Sequence, residues 1–225
     1  MRLFFKISTA VLALVLLLLC LPSCGKNYNE VQFDPAKNMY RDAVTGKSYM
    51  AMPPEYQPIA KGDQYAVLKM DKTEYPLYII EGLDPETYLS TEDGTVLTTQ
   101  VSDVPAVTQL NVTEIALLTT GETPILTGKL TSEEDIQSVI LALSGDGSIE
   151  RPLTSAAATY TLAVRSSDYP GIQYAVRYLI YDEDVTAFVG EDEVETNVGK
   201  NLLYDIYSRQ CFTCPDLLTL VSEDD

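Results

Sequence analysis

Period-two hydrophobic alternation recurs along this chain, and one segment alone switches to the helical period, so the fold is confined to an antiparallel, β-rich α+β class. The clearest strand is Ile172 to Tyr181. Ile172, Tyr174, Val176, Tyr178 and Ile180 share one face, while Gln173, Arg177 and Tyr181 share the other. Gln64 to Met70, Tyr75 to Glu81, Asn111 to Thr119, Ile125 to Leu130 and Thr159 to Arg165 read as further strands. Shorter ones are expected at Lys47 to Met52, Thr95 to Thr99 and Val185 to Val189. Asp168-Tyr169-Pro170-Gly171 and Asp182-Glu183-Asp184 read as hairpin turns. The exception to the alternation begins at Thr131-Ser132, an N-cap with Glu134 or Asp135 three residues on. Ile136, Val139, Ile140 and Leu143 then form one apolar helix face, and Gly145 stops it.

Four units follow from this pattern. Residues 1–23 form an export segment, 24–45 a polar tether without periodicity, 46–104 a small β-rich domain and 105–225 an α+β domain. Residues 85–90 read as one helical turn. The short strands and tight turns of 46–104 point to a small, partly closed sheet of SH3-like type. The remainder points to an antiparallel sheet with one packed helix.

The N-terminus carries the address. Arg2 and Lys6 precede an apolar stretch from Ala10 to Leu21, too short for the ~20 residues of a spanning helix and suited to a signal h-region. It ends Leu21-Pro22-Ser23-Cys24. This resembles the lipobox of bacterial lipoproteins. The resemblance covers residues 1–24 and implies that Cys24 is diacylated on sulfur and becomes the new N-terminus. It further implies an extracytoplasmic, lipid-anchored location, on the outer membrane if the host is Gram-negative, since Gly25 rather than Asp follows the cysteine. Acyl chains contribute about 0.8 kcal/mol per buried methylene, so two or more hold the protein firmly.

Charge narrows the partners. The chain has 15 basic and 33 acidic residues. Loss of Arg2 and Lys6 with the signal leaves 13 basic against 33 acidic residues, a net charge of −20. Such a chain is repelled by nucleic acid, which is not expected as a partner. The membrane, through the lipid, and an envelope protein are the partners expected. The runs Asp182-Glu183-Asp184, Glu191-Asp192-Glu193 and Glu223-Asp224-Asp225 lack calcium-loop spacing and read as solvated loops or tail, so no metal site is assigned.

With no histidine, imidazole-based triads and histidine metal sites are excluded. Thr45-Gly46-Lys47-Ser48 imitates the end of a phosphate-binding loop, but position 41 holds Arg rather than Gly, and a β-turn entering a strand is expected. Ser23 and Lys26, the only S-x-x-K pair, straddle the cleavage point. Cys211 and Cys214, spaced C-x-x-C, lack the further ligands zinc needs and read as a local disulfide or idle thiols. The 15 tyrosines gather in the two β regions, suiting half-buried strands first and a binding face second. The sequence thus points to a non-catalytic binding or assembly module at the cell envelope, without cofactor. The alternative is a carboxylate-based hydrolase acting on envelope glycans, for which two carboxylates ~5–10 Å apart would be needed.

Overall fold

The computed structural model describes residues 28–100, 106–121, 123–145, 149–189 and 194–221. The architecture is β-rich and mostly antiparallel, as the alternation requires. The first body is built from β1 (Asn29–Asp34), β2 (Met39–Asp42), β3 (Ser48–Ala51), β5 (Lys61–Met70), β6 (Thr73–Ile80), β7 (Tyr88–Ser90) and β8 (Val96–Thr98). These close into a barrel in the order β1-β2-β3-β8-β7-β6-β5, larger than the SH3-like sheet expected. All neighbours are antiparallel except the closing pair, where β1 runs parallel to β5 with Val31 opposite Leu68. Val31, Tyr49, Ala66, Leu68, Leu77, Leu89 and Leu97 fill the interior.

Two expectations are corrected here. Residues 29–42, read as tether, supply β1 and β2. Alternate Val31 and Phe33 face the barrel core while their polar neighbours face out. Residues 88–90, read as part of a helical turn, form β7, because Asp84 ends its own turn by accepting the Glu86 N–H and the Thr87 hydroxyl. The Thr45–Ser48 segment enters β3 from a turn, as expected, though the turn is centred on residues 43–45 and closes from the Gly46 N–H to the Asp42 carbonyl (2.9 Å). Buried Asp42 organises it, its Oδ1 accepting the N–H groups of Val44 (2.7 Å) and Thr45 (2.9 Å).

The second body comprises β9 (Val112–Thr119), β10 (Leu126–Leu130), α1 (Glu133–Leu143), β11 (Ala158–Ser166), β12 (Ile172–Val189), β13 (Val194–Tyr204), β14 (Cys211–Thr213) and α2 (Leu217–Leu220). Its strands lie in the order β10-β9-β11-β12-β13-β14. The helix forms as the sequence requires. Ser132 caps it, its hydroxyl accepting from the Asp135 N–H, and three acids occupy the positive first turn. Ile136, Val139, Ile140 and Leu143 pack on Ile115, Leu117, Leu162, Val164 and Tyr178. Each such aliphatic side chain contributes about 1.5–3 kcal/mol on burial. On the opposite sheet face, Ile149 and Ala156 lie over Leu179, Tyr181 and Leu202 at one end.

The expected hairpin at Asp182-Glu183-Asp184 is also corrected. These residues lie inside β12, which runs on for 18 residues, and the extra length is absorbed by irregular pairing with β13 between Ile180 and Thr186. The run is exposed, as a solvated acidic segment should be.

A third core joins the bodies. Met52, Tyr56, Ile80, Tyr88 and Val96 from the barrel side meet Ile172 of β12. Pro53 and Pro54 stop β3, and the chain re-pairs as β4 (Tyr56–Pro58) along β12, Tyr56 opposite Tyr174 and Pro58 opposite Ile172. Gly171 sits at the seam with no room for a side chain. A Cβ there would lie 2.3 Å from the Glu81 carbonyl oxygen.

Candidate functional site

The re-pairing of β4 creates the most chemically distinctive place in the molecule. β4 and β13 flank the same edge of β12 at different heights, β4 against residues 172–174 and β13 against residues 177–189. Glu55 precedes β4, its carbonyl accepting the Ala175 N–H at 2.8 Å. Asp205 follows β13 and turns the chain. Its Oδ1 accepts the Tyr207 N–H (2.9 Å), its Oδ2 accepts the Ser208 hydroxyl (2.6 Å), and its N–H donates to the Gln210 carbonyl. The two acids, 150 positions apart in sequence, therefore meet in the gap between the strands.

A cleft of about 540 Å³ opens there, lined by Pro53, Glu55, Tyr174, Asp205, Gln210 and Phe212, with the end of α1 closing one side. Burial raises the Glu55 carboxyl above its ordinary range, and the adjoining Asp205 carboxyl, within hydrogen-bonding reach, raises it further; the backbone N–H of Glu55 works in the opposite direction. Oε2 of Glu55 is buried and receives no N–H or hydroxyl among the described residues. A proton shared between the two carboxyl groups would satisfy that oxygen. Burial and the neighbouring Asp205 thus both favour the protonated form of Glu55, while Asp205 also shapes its own loop.

Tyrosines back the cleft. Tyr174 and Tyr56 meet edge-on at 5.4 Å, Tyr56 and Tyr169 at 6.5 Å, and Tyr169 and Tyr88 at 6.1 Å. Burial pushes the Tyr56 phenol up to about 12 and that of Tyr174 higher still. These rings are packing groups of the seam. Tyr75 and Tyr207, 44% and 45% exposed, lie at the barrel mouth and on the Asp205 loop, so the exposed tyrosines form no single face.

A second cavity of about 440 Å³ sits at the barrel mouth between Tyr40, Leu68, Met70, Tyr75 and Asp93. Asp93 is held below the usual carboxylate range by the Thr91 hydroxyl and by groups of Thr95, so it stabilises the β7–β8 turn.

The residues singled out from sequence fall elsewhere. Cys24 lies outside the described residues, as do the runs 191–193 and 223–225. Cys211 and Cys214, read as a local disulfide or idle thiols, are free thiols here. Residues three apart on extended chain face opposite sides. Cys214 joins Phe212 against the helix-side core, whereas Cys211 neighbours Tyr181 on the other face. Burial pushes the two thiols up to about 12 and about 11 respectively, which makes both poor nucleophiles. Among the described residues no group of three or more acids and cysteines could hold a metal ion. Glu55 and Asp205 had no sequence signal, since only the excursion of β4 unites them.

No protein family, curated protein or solved structure matches the chain.

Proposed function

We propose that this protein is a membrane-anchored extracytoplasmic lipoprotein that acts as a binding or assembly module at the cell envelope. The address rests on Leu21-Pro22-Ser23-Cys24 after a cationic and apolar leader. Because β1 begins at Asn29, it lies five positions after Cys24, a reach of at most ~18 Å. On this reading the barrel is held against the membrane and the second body stands beyond it. The observation that carries the binding role is the cleft at the seam: an opening of about 540 Å³ that joins apolar, aromatic and acidic lining. Its chemistry suits a ligand with an amine or guanidinium group beside an apolar part, since such a cation takes the place of the proton between Glu55 and Asp205.

One observation favours the second reading, a carboxylate-based glycan hydrolase: the raised Glu55 carboxyl in an open cleft is a suitable general acid. Direct contact with Asp205 weighs against it, because glycosidase carboxylates stand ~5–10 Å apart to admit sugar and water. Mass spectrometry of the membrane-extracted protein tests the anchor. Native chain is expected to start at Cys24 with a diacylglyceryl mass, and Cys24→Ala to lack it and leave the membrane fraction. Absence of lipid mass on the native chain overturns the anchor. Turnover of peptidoglycan fragments by wild type but not Glu55→Gln overturns the non-catalytic role.

A further inference from the structure

On the sheet face away from α1, a row of small residues crosses three strands: Ala116, Ala163 and Ala175 lie directly opposite one another in register. Glu114, Arg165 and Gln173 line one side of that row and Leu118, Thr161 and Arg177 the other, and at its Ala175 end is a pocket of about 60 Å³. Its walls are Gln57 of β4, Thr161 of β11, Arg177 of β12, and Ile206 and Tyr207 of the Asp205 loop. No carboxylate lines it, in a chain carrying 33 acids.

Arg177 is the central group. One terminal nitrogen donates to the Thr161 hydroxyl, which draws the guanidinium across the pocket floor. Among the described residues no carboxylate lies within ion-pair distance of Arg177. Arg165, on the same face, differs: Glu114 binds both it (2.7 Å) and Lys129 (3.0 Å). Tyr204 stands opposite Arg177 in register and carries the Arg151 guanidinium 4.9 Å from its ring centre. Arg151 likewise has no carboxylate within that distance among the described residues. Two uncompensated guanidinium groups thus flank one tyrosine on an otherwise acidic molecule. The loop supplying Ile206 and Tyr207 is fixed by the hydrogen bonds of Asp205, so the apolar wall is preformed.

We propose that this pocket binds the oxyanion end of a small ligand, a carboxylate or phosphate, with Arg177 as the charged donor and Gln57 as a second donor. Ile206 and Tyr207 contact the ligand's apolar neighbour. The volume equals that of roughly four waters, which fits an end group rather than a whole metabolite. A guanidinium with most of its donors unpaired matches such a planar or tetrahedral oxyanion. The inference deepens the binding-module reading and rests on it. The lipid mass on Cys24 and the glycan assay test that reading without involving this pocket.

The test is a titration of the full chain in detergent with acetate, butyrate and inorganic phosphate, following the Arg177 Nε–Hε resonance by NMR against a chloride control. A saturable shift with acetate or phosphate is expected, tighter with butyrate than with acetate because of the apolar wall. Stronger response to phosphate than to butyrate assigns a phosphate ligand, the reverse a carboxylate one, and either supports the site. Arg177→Gln, read by calorimetry, and Gln57→Ala, read by both methods, are expected to weaken binding about tenfold or more and about threefold. Arg165→Gln should leave it within twofold. Melting curves confirm that each variant is folded. A shift no larger than that with chloride, or equal affinity in folded Gln57→Ala and Arg165→Gln, overturns the proposal.

Discussion

Replacing Gly171 by alanine probes the seam between barrel and sheet with a single methyl group. The added Cβ would lie 2.3 Å from the Glu81 carbonyl oxygen, 2.9 Å from Ile80 Cγ2 and 3.1 Å from Leu83 Cγ. Ile80 is completely buried and cannot swing away, and the Glu81 oxygen belongs to the backbone, so a segment of chain must shift by nearly 1 Å. Gly171 also accepts the Ile59 N–H at 2.9 Å, and that bond moves with it. Overpacking costs about 1–3 kcal/mol, and a clash with backbone belongs at the upper end. For a chain of this size, about 3 kcal/mol lowers the melting temperature by roughly 6–12 °C. The control is Gly62→Ala, where the new methyl meets its nearest atom at 3.6 Å, an ordinary contact. Its melting temperature is expected to hold or rise slightly, since alanine restricts the unfolded chain. Thermal unfolding followed by far-ultraviolet circular dichroism reads both. A Gly171→Ala melt within 2 °C of wild type would refute the tight seam.

Two other substitutions test interior polar groups. The Tyr178 hydroxyl donates to Asn201 Oδ1 and accepts the Leu217 N–H, both at 3.0 Å, tying α2 to the sheet. Tyr178→Phe leaves both partners buried, so a loss of about 2–4 kcal/mol in urea unfolding is expected, and a loss below about 0.5 kcal/mol contradicts that role. Glu55 is raised by burial and then by Asp205, so the folded state holds its proton more tightly than the unfolded chain does. Its contribution is fully present below the unfolded value near 4.3 and is lost as pH rises through the folded value. Glu55→Gln is therefore expected to gain stability over wild type as pH rises above about 4.5, measured by urea unfolding across pH 4–8. A wild-type-minus-variant difference flat across that range rejects the shared proton.

Much of the fold was legible. The capped helix, the strand pattern and the turn around Asp42 follow from local period and side-chain chemistry, which need no knowledge of distant partners. β1 was hidden because it carries just two inward apolar residues, Val31 and Phe33, and its stability derives from parallel pairing with β5 some 37 positions away. The 18-residue β12 was hidden by three acids that read locally as a turn and structurally as a solvated irregularity. β4, three residues bounded by prolines, gives no periodic signal at all. The cleft inherits that obscurity: an isolated Glu in a Pro-rich link and an Asp ending a strand acquire chemistry through topology alone. The cysteine pair shows the opposite limit: spacing alone admitted a disulfide or idle thiols, and only the extended backbone, which sends the two sulfurs to opposite faces, separates them.

The closing pair of the barrel also sets how the molecule bears tension. A pull on the N-terminus enters at β1, whose Val31 and Gln32 are bonded on one side to β2 and on the other to β5. Ladder bonds lie across the strand direction, so a force along β1 shears both rows at once instead of peeling them singly. The first strand is therefore a mechanical clamp, and the barrel resists a pull applied at its N-terminal end.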